Sequence, residues 1–332
     1  MSFKTRPIGT TDLLVTELGL GTAAMAGNHR IVEDSDHRAA LEEGLNGGIN
    51  FVDTAPFYGF CRSEHFAGDA LRRRDNWILS TKAGRLFKPG EAPPHEAVEW
   101  PGCFPFRQTY DYSYDGVMRS YEDSLQRLGL DHIDILLLHD IGEMQHGAEA
   151  NAPLQKDAMS GGYKALDELR RNGDISAIGL GVNEQEVCIE AMNHGHWDTF
   201  LLAGRYTLLE QHPLENLLPA CEKSGTTIIL GGPFNSGILA GGDTWNYAKA
   251  PTEVISKAKA ISEICSDHEV PMAAAALQFP ITHPVVSSVI PGPRSAAEMS
   301  TIFDWWNHEI PDSLWSDLKS SGLLHADAPI PN

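Results

Sequence analysis

Short, almost wholly apolar runs alternate along this chain with longer stretches in which apolar residues recur every three to four positions. Eight such runs lie at residues 18–22, 49–53, 77–82, 133–139, 177–183, 199–205, 226–231 and 286–290. Runs of this length, apolar on both faces, predict strands buried in a parallel sheet. The stretches between them predict helices over 37–46, 64–73, 114–128, 163–171, 184–194, 214–223, 252–267 with 273–279, and 296–306. Gly129 and Gly173 fall where two helices should stop, and Ser295-Ala-Ala-Glu298 reads as a capping box at a helix start.

About eight strand-then-helix units predict an α/β fold of the (β/α)8 TIM-barrel type. No Pro/Gly/Ser-rich linker interrupts them, so residues 1–332 read as one domain. The competing architecture is an open doubly wound sheet, because Gly19-Leu-Gly21-Thr-Ala-Ala24 satisfies G-x-G-x-x-A. In that fold a helix begins inside the motif. Here Gly27, Asn28 and His29 interrupt it, and the next helical pattern starts near residue 37.

Two connections are long, 84–113 and 140–162. Both follow predicted strands and so should lie over the C-terminal face of the barrel, where barrel sites form. Polar residues recur where the apolar runs finish: Asp53, Lys82, His139 and Asn183, with Tyr58 five residues beyond Asp53. Taken singly, Asp53 and Lys82 could be a structural ion pair, His139 a core histidine and Tyr58 a loop anchor. Taken together on one rim they suit proton transfer. A phenol with a pKa of about 10 is a poor acid or base at neutral pH. A neighbouring ammonium should lower it, a carboxylate should hold the ammonium, and an imidazole can orient a substrate oxygen.

Composition narrows the partners. Lys and Arg number 25 against 45 Asp and Glu, a net charge of −20. Such a chain repels phosphate backbones and anionic lipid, and its densest basic cluster, Arg72-Arg73-Arg74, is followed at once by Asp75. We therefore expect no nucleic-acid or membrane partner. The five cysteines form no C-x-x-C pair, and residues 1–7 lack the apolar core of a leader, so a reduced, cytoplasmic protein is expected. The one H-x-H, His194-Gly-His196, follows a predicted helix rather than a strand, so no metal is expected.

The segment from Ile49 through Asp53-Thr-Ala-Pro-Phe-Tyr58-Gly, with Ser63-Glu64 and Gly68, resembles the aldo-keto reductases. So do Ser80-Thr-Lys82, the stretch 128–134 leading to His139, and Asn172-Gly-Asp-Ile-Ser-Ala-Ile-Gly179. The resemblance runs from about Gly19 to Glu298. It implies a barrel that binds NAD(P) without a doubly wound motif, and a catalytic tetrad of Asp53, Tyr58, Lys82 and His139. It places Gly21, Thr22 and Asn183 on the cofactor. It places the turn Gly231, Gly232, Pro233, Asn235, Ser236 and Gly237 against the pyrophosphate. Two family side chains are missing, an aromatic at Gly231 and a Gln near Ala203. At the adenosine end Gly292 and Glu298 stand where basic residues can grip a 2′-phosphate, with Arg294 between them. A carboxylate there opposes a phosphate dianion, so NAD is preferred and NADP is possible.

Within the family the resemblance is greatest to members that dehydrogenate aldoses such as L-fucose, L-galactose or D-arabinose at C1, and pyridoxal at its 4-position. It implies oxidation of a cyclic hemiacetal to its lactone, with His139 on the substrate oxygen and Trp100 or Tyr112 offering flat faces to the ring. The other readings are pyridoxal oxidation, NADPH-dependent reduction of aldehydes or ketones, and a non-catalytic nucleotide-binding subunit. A monomer or small homo-oligomer is expected.

Overall fold

The computed structural model describes residues 3–330. Met1, Ser2, Pro331 and Asn332, the ends of the span expected to form one domain, lie outside the described residues. Each of the eight predicted strands is present: β1 Leu20–Gly21, β2 Phe51–Asp53, β3 Ile78–Ala83, β4 Ile135–His139, β5 Ala177–Val182, β6 Thr199–Ala203, β7 Thr227–Gly231 and β8 Val286–Ile290. They pair in chain order, all in parallel. A parallel bridge between Leu18 and Val289 joins the first and last, with the Gly19 N–H donating to the Val289 carbonyl at 2.9 Å. The sheet is thus a ring, and the chain folds as a TIM barrel.

Alternation along each strand decides which side chains fill the ring. Ile135 and Leu137 of β4 join Phe51, Ile78, Leu201 and Ile229 inside it, while Leu136 and Leu138 face the helices. Full burial of each such side chain stabilises the fold by about 1.5–3 kcal/mol. The helices end as expected. Gly129 and Gly173 take positive φ values of 60° and 81°, which glycine adopts without steric cost, and the Ser295 hydroxyl accepts from the Glu298 N–H at 3.2 Å. Between Leu20 and the helix Asp34–Asn46 the chain makes only turns, so the G-x-G-x-x-A letters carry no dinucleotide helix.

Several elements were not expected. A hairpin, Thr5–Pro7 with Leu14–Thr16, puts Ile8 and Val15 into the barrel interior and floors the ring. The connection 84–113 is built from the hairpin Arg85–Pro89 and Phe106–Tyr110 with the helix Pro94–Glu99 between its strands. The connection 140–162 carries helices Glu143–His146 and Ala148–Asp157. A small hairpin, Thr244–Trp245 with Ala248–Lys249, follows β7, and the helix Asp312–Ser320 buries Leu314, Trp315 and Leu318.

His37, on the first helix, has an acid-stability consequence. It is fully buried beside Phe66, at 4.5 Å between ring centroids, and neither ring nitrogen has a hydrogen-bond partner. Burial, helped by the Arg62 charge, pushes its pKa down to about 3. The unfolded chain takes up that proton near pH 6.5 while the native state does not. The stabilising difference is whole above that pH and is lost as pH falls towards the native value, at about 1.4 kcal/mol per unit. His37→Leu is expected to flatten the decline by about 3 kcal/mol between pH 6.5 and 4.5. Urea unfolding of both proteins at the two pH values measures this, and equal slopes would refute it.

Candidate active site

Asp53 ends β2 and Lys82 lies near the end of the adjacent β3, so the two side chains meet over the same rim. Lys82 Nζ donates to Asp53 Oδ2 at 2.7 Å and Oδ1 at 3.0 Å, and to the Thr54 carbonyl at 2.9 Å. The Ser80 hydroxyl donates to Asp53 Oδ1 at 2.6 Å. The pair is almost wholly buried. On β5 the absence of a side chain at Gly181 makes room for it, since a Cβ there would stand 3.0 Å from Lys82 Cε. Tyr58, on the turn after β2, lays its ring 4.7 Å from Lys82 Nζ. The His139 ring at the end of β4 is 5.8 Å from the Tyr58 ring and nearly perpendicular to it. The structure therefore brings Asp53, Tyr58, Lys82 and His139 together.

The electrostatics differ from the expectation in one respect. Tyr58 was expected to be lowered by its ammonium neighbour. Instead burial, reinforced by the Asp53 and Asp140 carboxylates, pushes the phenol well above its ordinary value. Lys82 is already neutralised by Asp53, so little of its field is left to favour a phenolate. Burial also raises Asp53 against the pull of Lys82, and it drives His139 well below the usual histidine range, with Arg85 and Lys82 adding to the effect. The resting site thus pairs a neutral phenol with a neutral imidazole. His139 Nε2 lies 3.4 Å from Asp140 Oδ2 and Nδ1 has no partner.

Tyr58, Lys82 and His139 floor a pocket of about 100 Å³, walled by Phe57, Trp100 and Tyr247 and edged by Glu99, Asp140 and Asn183. Trp100 stacks on Tyr58, at 5.7 Å and 24° between planes, and lines the pocket. Tyr112 does not. It is buried behind the wall, and its hydroxyl donates to the His139 carbonyl at 2.6 Å, so its part is to hold His139 rather than to face a ligand. Sequence reasoning missed the buried ion pair of Arg85 with Asp140, two residues 55 positions apart. It also missed Glu99 and Tyr247, for which neither periodicity nor spacing gave a signal.

The pocket adjoins a groove of about 830 Å³ over the ends of β1 and β6–β8. Gly21, Thr22, Gly231, Gly232, Pro233, Asn235, Ser236, Gly237, Gly292, Arg294 and Glu298 all line it, whereas Asn183 lines the smaller pocket. Two of these side chains are already hydrogen-bonded within the protein. Asn235 is spent on the rim, accepting from the Thr207 hydroxyl at 2.5 Å and donating to the Gly204 carbonyl at 2.9 Å. Glu298 reaches back to the Arg294 N–H at 2.7 Å, completing its helix cap. Arg294 Nε is buried without a partner at the groove. No three His, Cys, Asp or Glu side chains gather as a metal site among the described residues; His194 and His196 instead face Glu190 and Asp198. Among those residues no helix is long and apolar enough to cross a membrane.

A barrel with this rim is matched by a known family. The sequence profile of the aldo/keto reductase family matches residues 17–322, and the chain belongs to that family of oxidoreductases. It is 43% identical over 333 residues to pyridoxal 4-dehydrogenase of Microbacterium luteolum, spanning 96% of this chain and 97% of that one. It is 34% identical over 323 residues to D-threo-aldose 1-dehydrogenase of a Pseudomonas species, spanning 94% and 95%. The holo form of an aldo-keto reductase from Bacillus halodurans superposes with a TM-score of 0.73 over 98% of both chains, at 24% identity, which speaks for the fold alone.

Proposed function

We propose that this protein is an NAD-linked dehydrogenase that oxidises a cyclic hemiacetal to its lactone, with pyridoxal the first candidate and D-threo aldoses the second. The observation that carries this reading is the convergence of Tyr58, Lys82 and His139 at the floor of an aromatic pocket, with Asp53 bonded to Lys82 at the edge of the long groove that the pocket adjoins. Pyridoxal stands first because the likeness to its dehydrogenase is the greater and because three aromatic walls suit a flat heteroaromatic ring.

The groove fits a dinucleotide. Ala203, Gly231 and Gly232 add little side-chain bulk to its lining, and Arg294 Nε is an unpaired buried donor of another lining residue. Gly21, Thr22, the turn 231–237, Gly292 and Arg294 would hold the cofactor, with Asn183 at the nicotinamide end. When bound, a nicotinamide dinucleotide supplies the hydride acceptor. The chain's own residues supply the rest. The neutral His139 imidazole orients the anomeric oxygen. Tyr58 Oη takes the proton of the anomeric hydroxyl, once its own proton has been released. Lys82 and Asp53 hold that phenol in place, and Trp100 excludes water above it. Because the phenol is raised, oxidation is expected to quicken as pH rises through the alkaline range, while the protonated phenol stands ready as donor for the reverse reduction.

A spectrophotometric panel tests both substrate and cofactor. NADH formation is followed with pyridoxal, L-fucose, L-galactose, D-arabinose and simple aldehydes, then the series is repeated with NADP+. We expect turnover of pyridoxal or of an aldose, and a KM for NADP+ about tenfold above that for NAD+, since the Glu298 carboxylate stands beside any 2′-phosphate. A lower KM for NADP+ would overturn the cofactor preference. Oxidation of no hemiacetal by a folded protein that still binds NADH would overturn the function.

A further inference from the structure

We propose that Glu99 determines specificity in this pocket, accepting a hydrogen bond from a neutral O–H or N–H donor on the substrate and turning away substrates that carry an anionic group. The inference rests on the reading of the pocket as the substrate site.

Every other charge around the pocket is already matched. Lys82 is held by Asp53. Arg85 is fully buried, bonded to Asp140 and to Gln108 Oε1, with its guanidinium 3.8 Å over the Phe57 ring. Asp140 is spent on Arg85 and on Asn183 Nδ2, at 3.4 Å. Glu99 alone brings a carboxylate to the wall that makes no hydrogen bond or ion pair with any described residue. Burial pushes its carboxyl upward, against the pull of His29 and Arg85. The carboxylate is only partly buried and no protein group satisfies it, so it is open to a donor that a ligand brings.

Its placement is fixed from both sides. Glu99 ends the helix Pro94–Glu99, and its carbonyl accepts from the His29 N–H at 2.7 Å. The next residue, Trp100, is the one stacked on Tyr58. The carboxylate is therefore tied through one residue to the phenol that handles the reacting oxygen. The chemistry of the ligand follows. A sugar hydroxyl or a pyridine phenol can donate to Glu99, whereas a carboxylate or phosphate meets an unmatched negative charge with Arg85 already taken.

The test compares wild type with Glu99→Gln on a neutral pyranose, its matching uronic acid, and pyridoxal, with NADH binding followed by protein fluorescence. The variant is expected to raise KM for the neutral substrates about tenfold, with kcat within about twofold, to narrow the preference for pyranose over uronate about tenfold, and to leave NADH binding unchanged. Unchanged KM and unchanged preference would overturn the proposal while the hemiacetal activity stands. If wild type oxidises none of the three, the functional reading fails instead. The same comparison is then read on reduction of glyceraldehyde against glyoxylate, where equal discrimination by both proteins overturns the role of Glu99.

Discussion

Tyr58→Phe is expected to lower kcat by about 10³-fold while leaving cofactor binding and stability nearly as they were. The substitution removes one oxygen. The ring stays, and with it the stack on Trp100 and the face turned to Lys82 Nζ. In the proposed reaction the lost hydroxyl is the atom that exchanges a proton with the reacting oxygen, and no second phenol is free to replace it. Tyr112 is committed to the His139 carbonyl, and the Tyr247 hydroxyl bonds Asn183 Oδ1 at 3.3 Å. Initial rates and a fluorescence titration with NADH separate the two effects. Turnover within tenfold of wild type would remove Tyr58 from the chemistry.

Lys82→Met is expected to abolish turnover and to cost about 3–5 kcal/mol of stability, because it strands the Asp53 carboxylate in a closed site with Ser80 as its remaining side-chain donor. The sign of the pH dependence distinguishes this from a packing defect. Asp53 is raised even beside its ammonium, and without Lys82 it rises further. A carboxyl raised above its unfolded value favours the native state at low pH and loses that advantage as pH climbs through the folded value. The variant should therefore recover stability on going from pH 7 towards pH 5, the opposite of the trend that His37 imposes. Adding Asp53→Asn should restore most of the stability and none of the activity, since the buried charge is gone while the anchor for Tyr58 is not rebuilt. Urea unfolding at the two pH values measures all three proteins. A loss of stability independent of pH would show that the ion pair matters only as packing.

The barrel was legible because its strands are buried on both sides, and a run such as Ile135–His139 leaves no polar face to confuse the period. Asp53, Lys82 and His139 were legible as site candidates because each sits where such a run stops, and Tyr58 because it follows five residues after the first of them. Elements that rely on pairing with a distant partner were not. The hairpin of Arg85–Pro89 with Phe106–Tyr110 joins two half-exposed strands across a 16-residue excursion, and its polar alternation resembles that of a loop. The helix Asp312–Ser320 did carry a signal, Leu314, Trp315 and Leu318 after Pro311, at a spacing that helices bury. Tyr112 was misjudged because an aromatic in a long connection looks the same whether it faces a ligand or props a backbone carbonyl. The balance on Tyr58 could not be read either, since it depends on how completely Asp53 cancels Lys82, a matter of ångströms.

The rim divides its labour along the chain. Asp53, Tyr58, Lys82 and His139 come from β2–β4 and the turn after β2, all within the first 139 residues. Most of the groove comes from β6–β8 and the segments C-terminal to those strands, residues 201–305. The two halves meet at the Leu18–Val289 bridge and along β5. On the proposed function, proton handling and nucleotide choice would therefore be inherited on separate stretches of the gene. A descendant could then exchange one redox pool for another by altering its later segments alone, while the reaction itself would travel with the earlier ones.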